Sequence, residues 1–234
     1  RMKKIPPQAL IYQIYVGNDL LDIRKPCNWE KLSLTRNLYW KITDYSLFAS
    51  FLNYQLARMK EKTNTGFDFE RKGLEDSVFS IEHYSKREKL LLQAEPHFLE
   101  NSIFLQENRQ NDLQFLIQGL QSLLNSIEDK EIPVYITIIP HCVQVGKFYQ
   151  THLEMLGASF TTPNLQTPNY PFINTLIQAF STQKNVHILN PLPYFQQIES
   201  SEQHLYYVND PHLNPLGQQL LGEWLHSEIK MPKP

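Results

Sequence analysis

Apolar residues along this chain form two patterns, short continuous runs and stripes with a helical period, and the two patterns alternate. The short runs contain β-branched and aromatic residues and predict strands at residues 9–16, Val134–Ile139 and Val186–Leu189. Each run is followed by residues that favour turns, so each predicted strand leads into a loop. The absence of a polar alternation within the runs indicates strands that are buried in a sheet, including the strand at 9–16.

Apolar positions spaced by three or four residues predict helices between and after these strands. The predicted helices cover residues 38–59, 113–127, 147–156, 172–180 and 215–225. In the second of them the expected buried stripe is Leu113, Leu116, Leu120, Leu123 and Ile127. The last helix has a clear start, because Asn214 is a good N-cap and Pro215 suits the first helical position. Residues 161–171 contain three prolines and predict a loop.

Alternation of strands and helices predicts an α/β protein with a parallel sheet. In such a sheet, ligands bind at the carboxyl ends of the strands. We interpret residues 1–234 as a single domain, and residues 63–105, which are charged and show no clean period, as an insertion or a lid.

Composition narrows the classes of function. The chain has 234 residues and 41% hydrophobic residues, which is typical of a globular protein. Its net charge of −2 gives no electrostatic reason to expect binding to nucleic acid. No apolar run reaches the roughly 18 residues of a membrane span. The two cysteines, Cys27 and Cys142, do not form a disulfide framework or a metal knuckle, although a single bridge between them stays open.

The segment Asn209-Asp210-Pro211-His212, just before the last predicted helix, holds the strongest chemical signal. A carboxylate two residues before a histidine can reach the imidazole ring in a tight turn, and Pro211 favours such a turn by fixing φ. Histidine is suited to general-base catalysis because its pKa is near neutral. Two other interpretations stay open: turn or helix-start residues with no catalytic role, and a metal site formed with His141, itself expected to be a loop residue.

A second polar block, Gly17-Asn18-Asp19, follows the first predicted strand. Taken alone, Asn18 and Asp19 are also common turn residues. Together and in this order, the two blocks resemble the SGNH (GDSL-like) hydrolase and acyltransferase superfamily. The resemblance implies a three-layer α/β/α fold of flavodoxin-like type, in which Asn18 donates to an oxyanion and Asp210 and His212 belong to a Ser-His-Asp triad. Gly17 and Asp19 would then contact substrate.

The spacing Asp-x-His is similar to that of alginate-type O-acetyltransferases, whereas most members have Asp-x-x-His. Asn209 stands where the commoner spacing places the acid. We take Asp210 as the acid, and we expect changes at Asn209, Asp210 and His212 to alter stability little, on the assumption that all three are exposed loop residues.

The sequence departs from the family in one respect, because the Gly-Asp-Ser block that carries the nucleophile does not occur in it. We interpret the chain as a C-terminal portion of a longer enzyme whose first strands and serine lie upstream. The resemblance then implies hydrolysis or O-acyl transfer on a small ester, a lipid or a glycan, without a cofactor or metal. The alternative is an inactive domain that binds carbohydrate or a protein partner. Cytoplasm and periplasm stay open as compartments, as does the oligomeric state.

Overall fold

The structure, a computed structural model, describes residues 8–23, 77–127, 131–200 and 202–229. These residues form a mixed α/β structure with a small parallel sheet. The strands are β1 (Leu10–Tyr15), β2 (Val134–Ile139) and β3 (Val186–Leu189). The helices are α1 (Asp19–Ile23), α2 (Lys86–Ala94), α3 (Phe98–Phe104), α4 (Arg109–Ser126), α5 (Cys142–Val145), α6 (Lys147–Met155), α7 (Pro171–Phe180), α8 (Leu192–Ile198) and α9 (Pro215–Glu228).

All three predicted strands are present and parallel, which confirms this part of the sequence analysis. They lie in the order β1-β2-β3, with β2 paired on both sides. Tyr15 is the register partner of Ile139, so β1 and β2 end at the same level of the sheet. The segments that leave these two strands therefore start at one common edge, where the chemistry of a parallel α/β sheet is expected.

The two strands of this pair differ in burial. Every residue of β2 from Val134 to Ile138 is buried, as the continuous apolar run predicts for a central strand covered on both faces. In β1, however, Ile11 is 48% exposed and Tyr12 is 36% exposed. The prediction of a fully buried strand at 9–16 is therefore wrong for its middle, because β1 has a neighbouring strand on one side only within the described part of the chain.

Helix predictions after residue 100 are largely confirmed. The stripe at 113–127 forms α4, and the predictions at 147–156 and 172–180 form α6 and α7. The buried face of α4 is Leu113, Ile117, Leu120 and Leu124. Leu116 and Leu123 lie at the edge of this face instead. Each residue adds about 100° of rotation about the helix axis, so steps of three or four residues do not return to the same angle. The helix predicted at 38–59 lies outside the described residues.

The segment interpreted as an insertion or lid is described from residue 77 onward. This part forms α2 and α3 and supplies side chains to the main core, namely Tyr84, Leu92, Phe98, Leu99 and Ile103. Its helices escaped the periodicity argument because α3 also buries Glu100, Asn101 and Ser102, which interrupt the apolar pattern. The Glu100 carboxylate accepts hydrogen bonds from the backbone N–H groups of Thr161 and Thr162, which makes its burial tolerable.

The start of α9 is confirmed. The Asn214 side chain accepts a hydrogen bond from the Gly217 N–H at 2.9 Å, and Pro215 occupies the first turn. Among the helices of the described ranges, none combines the length and the apolar character that crossing a membrane requires.

Candidate active site

The Asp210-His212 segment lies at the tip of a narrow loop between α8 and α9. The Tyr207 N–H donates to the His212 carbonyl at 3.1 Å, and the Asn214 N–H donates to the Leu205 carbonyl at 3.0 Å. A Cβ atom on Gly217 would overlap the Leu205 carbonyl oxygen, so only glycine allows α9 to approach the base of this loop. The loop is therefore held at its base by backbone contacts and by the capped helix.

At the tip, Asp210 and His212 form a pair. Asp210 Oδ1 accepts a hydrogen bond from the His212 backbone N–H at 3.0 Å, and the same oxygen pairs with Nδ1 of the imidazole ring. An Nδ1–H bonded to the carboxylate leaves Nε2 as the proton-accepting atom of the ring. The His212 side chain is 64% exposed and the Asp210 side chain 18% exposed, so the imidazole can meet a substrate while the carboxylate stays behind it.

Asn209 points away from this pair. Its Oδ1 accepts from the Ser80 N–H at 2.8 Å, and its Nδ2 donates to the Val78 carbonyl at 2.9 Å. The Asn209 carbonyl also accepts from the Ser85 N–H, and the residue is buried. The expectation that Asn209 is an exposed loop residue is wrong. The Asn209 amide thus links the segment before α2 to the loop by hydrogen bonds, so its role is structural.

The Gly17-Asn18-Asp19 block lies where β1 ends and α1 begins. Asp19 Oδ2 accepts a hydrogen bond from the Tyr15 N–H at 2.8 Å, so one carboxylate oxygen closes the turn. Gly17 is buried, and a Cβ atom there would overlap the ring of Tyr15. The absence of a side chain at position 17 thus lets Tyr15 fold back over its own turn. Asn18, between them, is half-buried.

Tyr15 is the residue of this site that the sequence analysis missed. Its hydroxyl donates to the Pro211 carbonyl at 2.9 Å, and its ring centroid lies 5.6 Å from that of His212. Burial raises the pKa of Tyr15 well above its ordinary value, with nearby Cys142 and Glu88 adding to the effect, so the hydroxyl remains a donor. The available signal was its position as the last residue of a strand, next to the Gly-Asn-Asp block.

One cavity joins the two sequence blocks. It has a volume of about 540 Å³, and its described lining residues include Asn18, Asp19, Tyr15 and His212. This size is typical of small-molecule sites, which measure roughly 300–1,000 Å³. Asn18 and His212, which belong to the two separate sequence blocks, thus line the same cavity. Gly17 and Asp210 are not among the described lining residues, because Gly17 lies under Tyr15 and Asp210 lies behind the imidazole.

His141, which the sequence analysis treated as a loop residue, is fully buried at the start of α5. Its Nδ1 accepts from the Val143 N–H at 3.3 Å, and its ring stacks on Tyr15 at a centroid distance of 5.8 Å. Burial lowers the pKa of His141 to about 3, with a further contribution from His212. The residue is therefore a neutral helix cap that supports the ring of Tyr15.

The alternative of a metal site at Asp210, His212 and His141 finds no support in the geometry. Within the described ranges, no group of three or more histidine, cysteine, aspartate or glutamate side chains is arranged to hold a metal ion. His141 instead caps α5 and stacks on Tyr15, and its Nε2 lies 4.0 Å from Oε1 of Glu88.

The assembled site therefore places an imidazole that is paired with a carboxylate, and the amide-bearing side chain of Asn18, on one cavity. Comparison with known proteins adds no family: the chain matches no protein-family model, and no curated protein or solved structure is significantly similar to it.

Proposed function

We propose that this chain is part of an SGNH-type ester hydrolase or O-acyltransferase with a three-layer α/β/α fold. In this proposal the chain supplies the catalytic histidine and the side chain that donates to the oxyanion. The observation that carries the proposal is that Asn18 and His212, which are far apart in the sequence, line one cavity. In the same place, His212 is paired with Asp210. The substrate class is a small ester, a lipid or a glycan O-acyl group.

In the proposed reaction, a serine hydroxyl attacks the ester carbonyl while His212 Nε2 takes the hydroxyl proton. Asp210 holds the imidazole in the required tautomer and stabilises the imidazolium that forms. The side-chain NH₂ of Asn18 donates to the oxyanion of the tetrahedral intermediate. As this intermediate collapses, the alcohol leaves with the proton from His212. Water or an acceptor hydroxyl then removes the acyl group by the same steps in reverse.

The serine is proposed to come from outside the 234 residues, since no Gly-Asp-Ser turn occurs in them. The test is labelling with a fluorophosphonate probe, whose phosphorus is attacked by an activated serine with loss of fluoride. It is applied to a longer natural form of the protein that includes residues upstream of Arg1. We expect one labelled serine upstream, with labelling lost in His212→Ala and retained in His226→Ala, an exposed histidine on α9.

Two results would count against this proposal. Labelling that is unaffected by His212→Ala would remove His212 from the reaction. An absence of labelled serine in the longer protein would favour the inactive domain that binds carbohydrate or a protein partner.

The 234-residue chain alone should hydrolyse p-nitrophenyl acetate little above buffer. Turnover that is abolished by changing one of its own serines would place the nucleophile inside it.

A further inference from the structure

The cavity beside His212 has a second set of walls that the proposed chemistry does not use. The described residues that line it fall into a polar group around Asn18, Asp19 and His212 and an apolar group. The apolar group comes from the end of β2, the end of the loop and one face of α9: Ile139, Leu213, Leu221 and Leu225. These four side chains pack in or against the hydrophobic core and also give the cavity an apolar wall beside its polar group.

The contribution of α9 is a continuous stripe. Gln218, Leu221, Gly222 and Leu225 all line the cavity, and their spacing of three, one and three residues places them on one side of the helix. The amide of Gln218 donates to the Leu213 carbonyl at 3.0 Å, so its polar end is tied to the protein backbone. Leu221 is buried while Gly222 is exposed, so the stripe runs from the core to the open part of the cavity.

We propose that this stripe is an acyl-chain site and that the substrate is an ester of a medium-length aliphatic acid, not of acetic acid. The inference rests on the proposed function, because it takes the reacting carbonyl to lie between Asn18 and His212. The chain would then extend over Leu221 and Leu225, burying its methylene groups. Each methylene buried on an apolar wall raises affinity roughly fourfold.

Gly222 makes the proposal testable. Among the described residues, nothing lies within 4 Å of a Cβ atom placed on Gly222, so a side chain there would enter the cavity without a clash. Gly119, in the middle of α4, is likewise exposed with nothing within 4 Å of an added Cβ, but it does not line the cavity. Both glycines lie inside helices, where leucine is a better helix former, so Gly222→Leu and Gly119→Leu should both fold.

The experiment measures binding of acetate, hexanoate and octanoate to the 234-residue chain by NMR titration, a readout that needs no serine. We expect octanoate to bind more tightly than hexanoate, and acetate most weakly. Gly222→Leu should weaken octanoate binding by roughly 15-fold, the loss of about two buried methylene groups, and leave acetate within about twofold. Gly222→Ala should have a smaller effect in the same direction, and Gly119→Leu should match the wild type.

Equal affinity for the three acids, undetectable binding of octanoate, or an octanoate affinity that is the same in Gly222→Leu and Gly119→Leu would overturn the acyl-chain site. None of these results bears on fluorophosphonate labelling, which tests the serine and His212. Conversely, a failure to label any serine would count against the proposed reaction and would not change the binding results for the three acids. The two proposals can therefore fail separately.

Discussion

The hydroxyl of Tyr15 donates a hydrogen bond to the carbonyl of Pro211 at 2.9 Å, across 196 positions of the sequence. This bond ties the end of β1, three residues before Asn18, to the loop tip that carries His212. Both groups must reach one tetrahedral centre in the proposed reaction, with contacts near 3 Å. In the proposed reaction, Tyr15 therefore serves as a positioning residue that holds these two segments together.

Tyr15→Phe should remove this bond and keep the ring contacts with the two histidines. We expect a loss of about 1–2 kcal/mol in the free energy of unfolding, because the buried Pro211 residue loses a hydrogen-bond donor. Urea denaturation measures this loss. Tyr12→Phe, on the exposed part of the same strand, is the matched control and should change stability by less than about 0.5 kcal/mol. Equal losses of stability in the two variants would show that the Tyr15 hydroxyl does not stabilise this contact.

Asn209→Ala should destabilise the protein more than a loop substitution normally does. Its amide makes one hydrogen bond to the Ser80 N–H and one to the Val78 carbonyl, and it is buried. Leaving both backbone groups without this partner should cost about 2–3 kcal/mol. Asn174→Ala, at an exposed position on α7, serves as the control in the same urea denaturation. A loss for Asn209→Ala as small as that of the control would show that water replaces these contacts.

Stability should fall on acidification because of His141. Its pKa is about 3 in the folded protein, against 6.5 as the ordinary value, so the unfolded chain binds more protons between these pH values. The contribution of the neutral His141 to the free energy of unfolding is complete above pH 6.5. It is lost as the pH falls, at up to about 1.4 kcal/mol per pH unit. His141→Asn keeps a capping oxygen but cannot take up this proton.

Between pH 7 and pH 4.5, we therefore expect the free energy of unfolding of His141→Asn to fall by about 2 kcal/mol less than that of the wild type. Unfolding free energies from urea denaturation at several pH values give this difference. His226→Asn, at an exposed position on α9, should keep the wild-type dependence. An unchanged pH dependence in His141→Asn would mean that the ring is not held neutral by burial.

In the proposed longer form of the protein, with the serine upstream of Arg1, His212→Ala should lower kcat by several orders of magnitude, because the serine then lacks its base. Asp210→Asn should also be severe, roughly 10⁴-fold, since the imidazole loses the carboxylate that fixes its tautomer. Steady-state kinetics beside thermal melts separate these effects from unfolding. Near-full activity of His212→Ala with the fold intact would end the catalytic interpretation of this loop.

Asn18→Ala should lower kcat about 100- to 1000-fold with a smaller change in KM, as expected when one oxyanion donor is removed. Asn18→Asp has nearly the same shape but carries a negative charge in place of the donor, so it should be at least as damaging. Retention of activity in Asn18→Asp would show that position 18 does not donate to the oxyanion. The same kinetic assay measures both variants.

The sequence by itself determined many of the local elements in the described part of this protein, although not α2 and α3. The bounds of β2 and β3, the helices near 113–127, 147–156 and 172–180, and the capped start of α9 all follow from the period of apolar residues and from capping chemistry. The pairing of Asp210 with His212 is also local, because two residues of one tight turn can be brought together without help from distant parts of the chain.

Only the tertiary structure decided which distant partners the polar residues contact. Asn209 and Asp210 are neighbours with similar side chains, yet one is buried against residues 78–85 and the other holds an imidazole. Tyr15 and Pro211 meet because β1 ends beside the α8–α9 loop. The burial of Glu100 in α3 likewise depends on partners at Thr161 and Thr162. Such contacts join residues far apart in sequence, and periodicity carries no record of them, because it reports only how each segment divides between core and solvent.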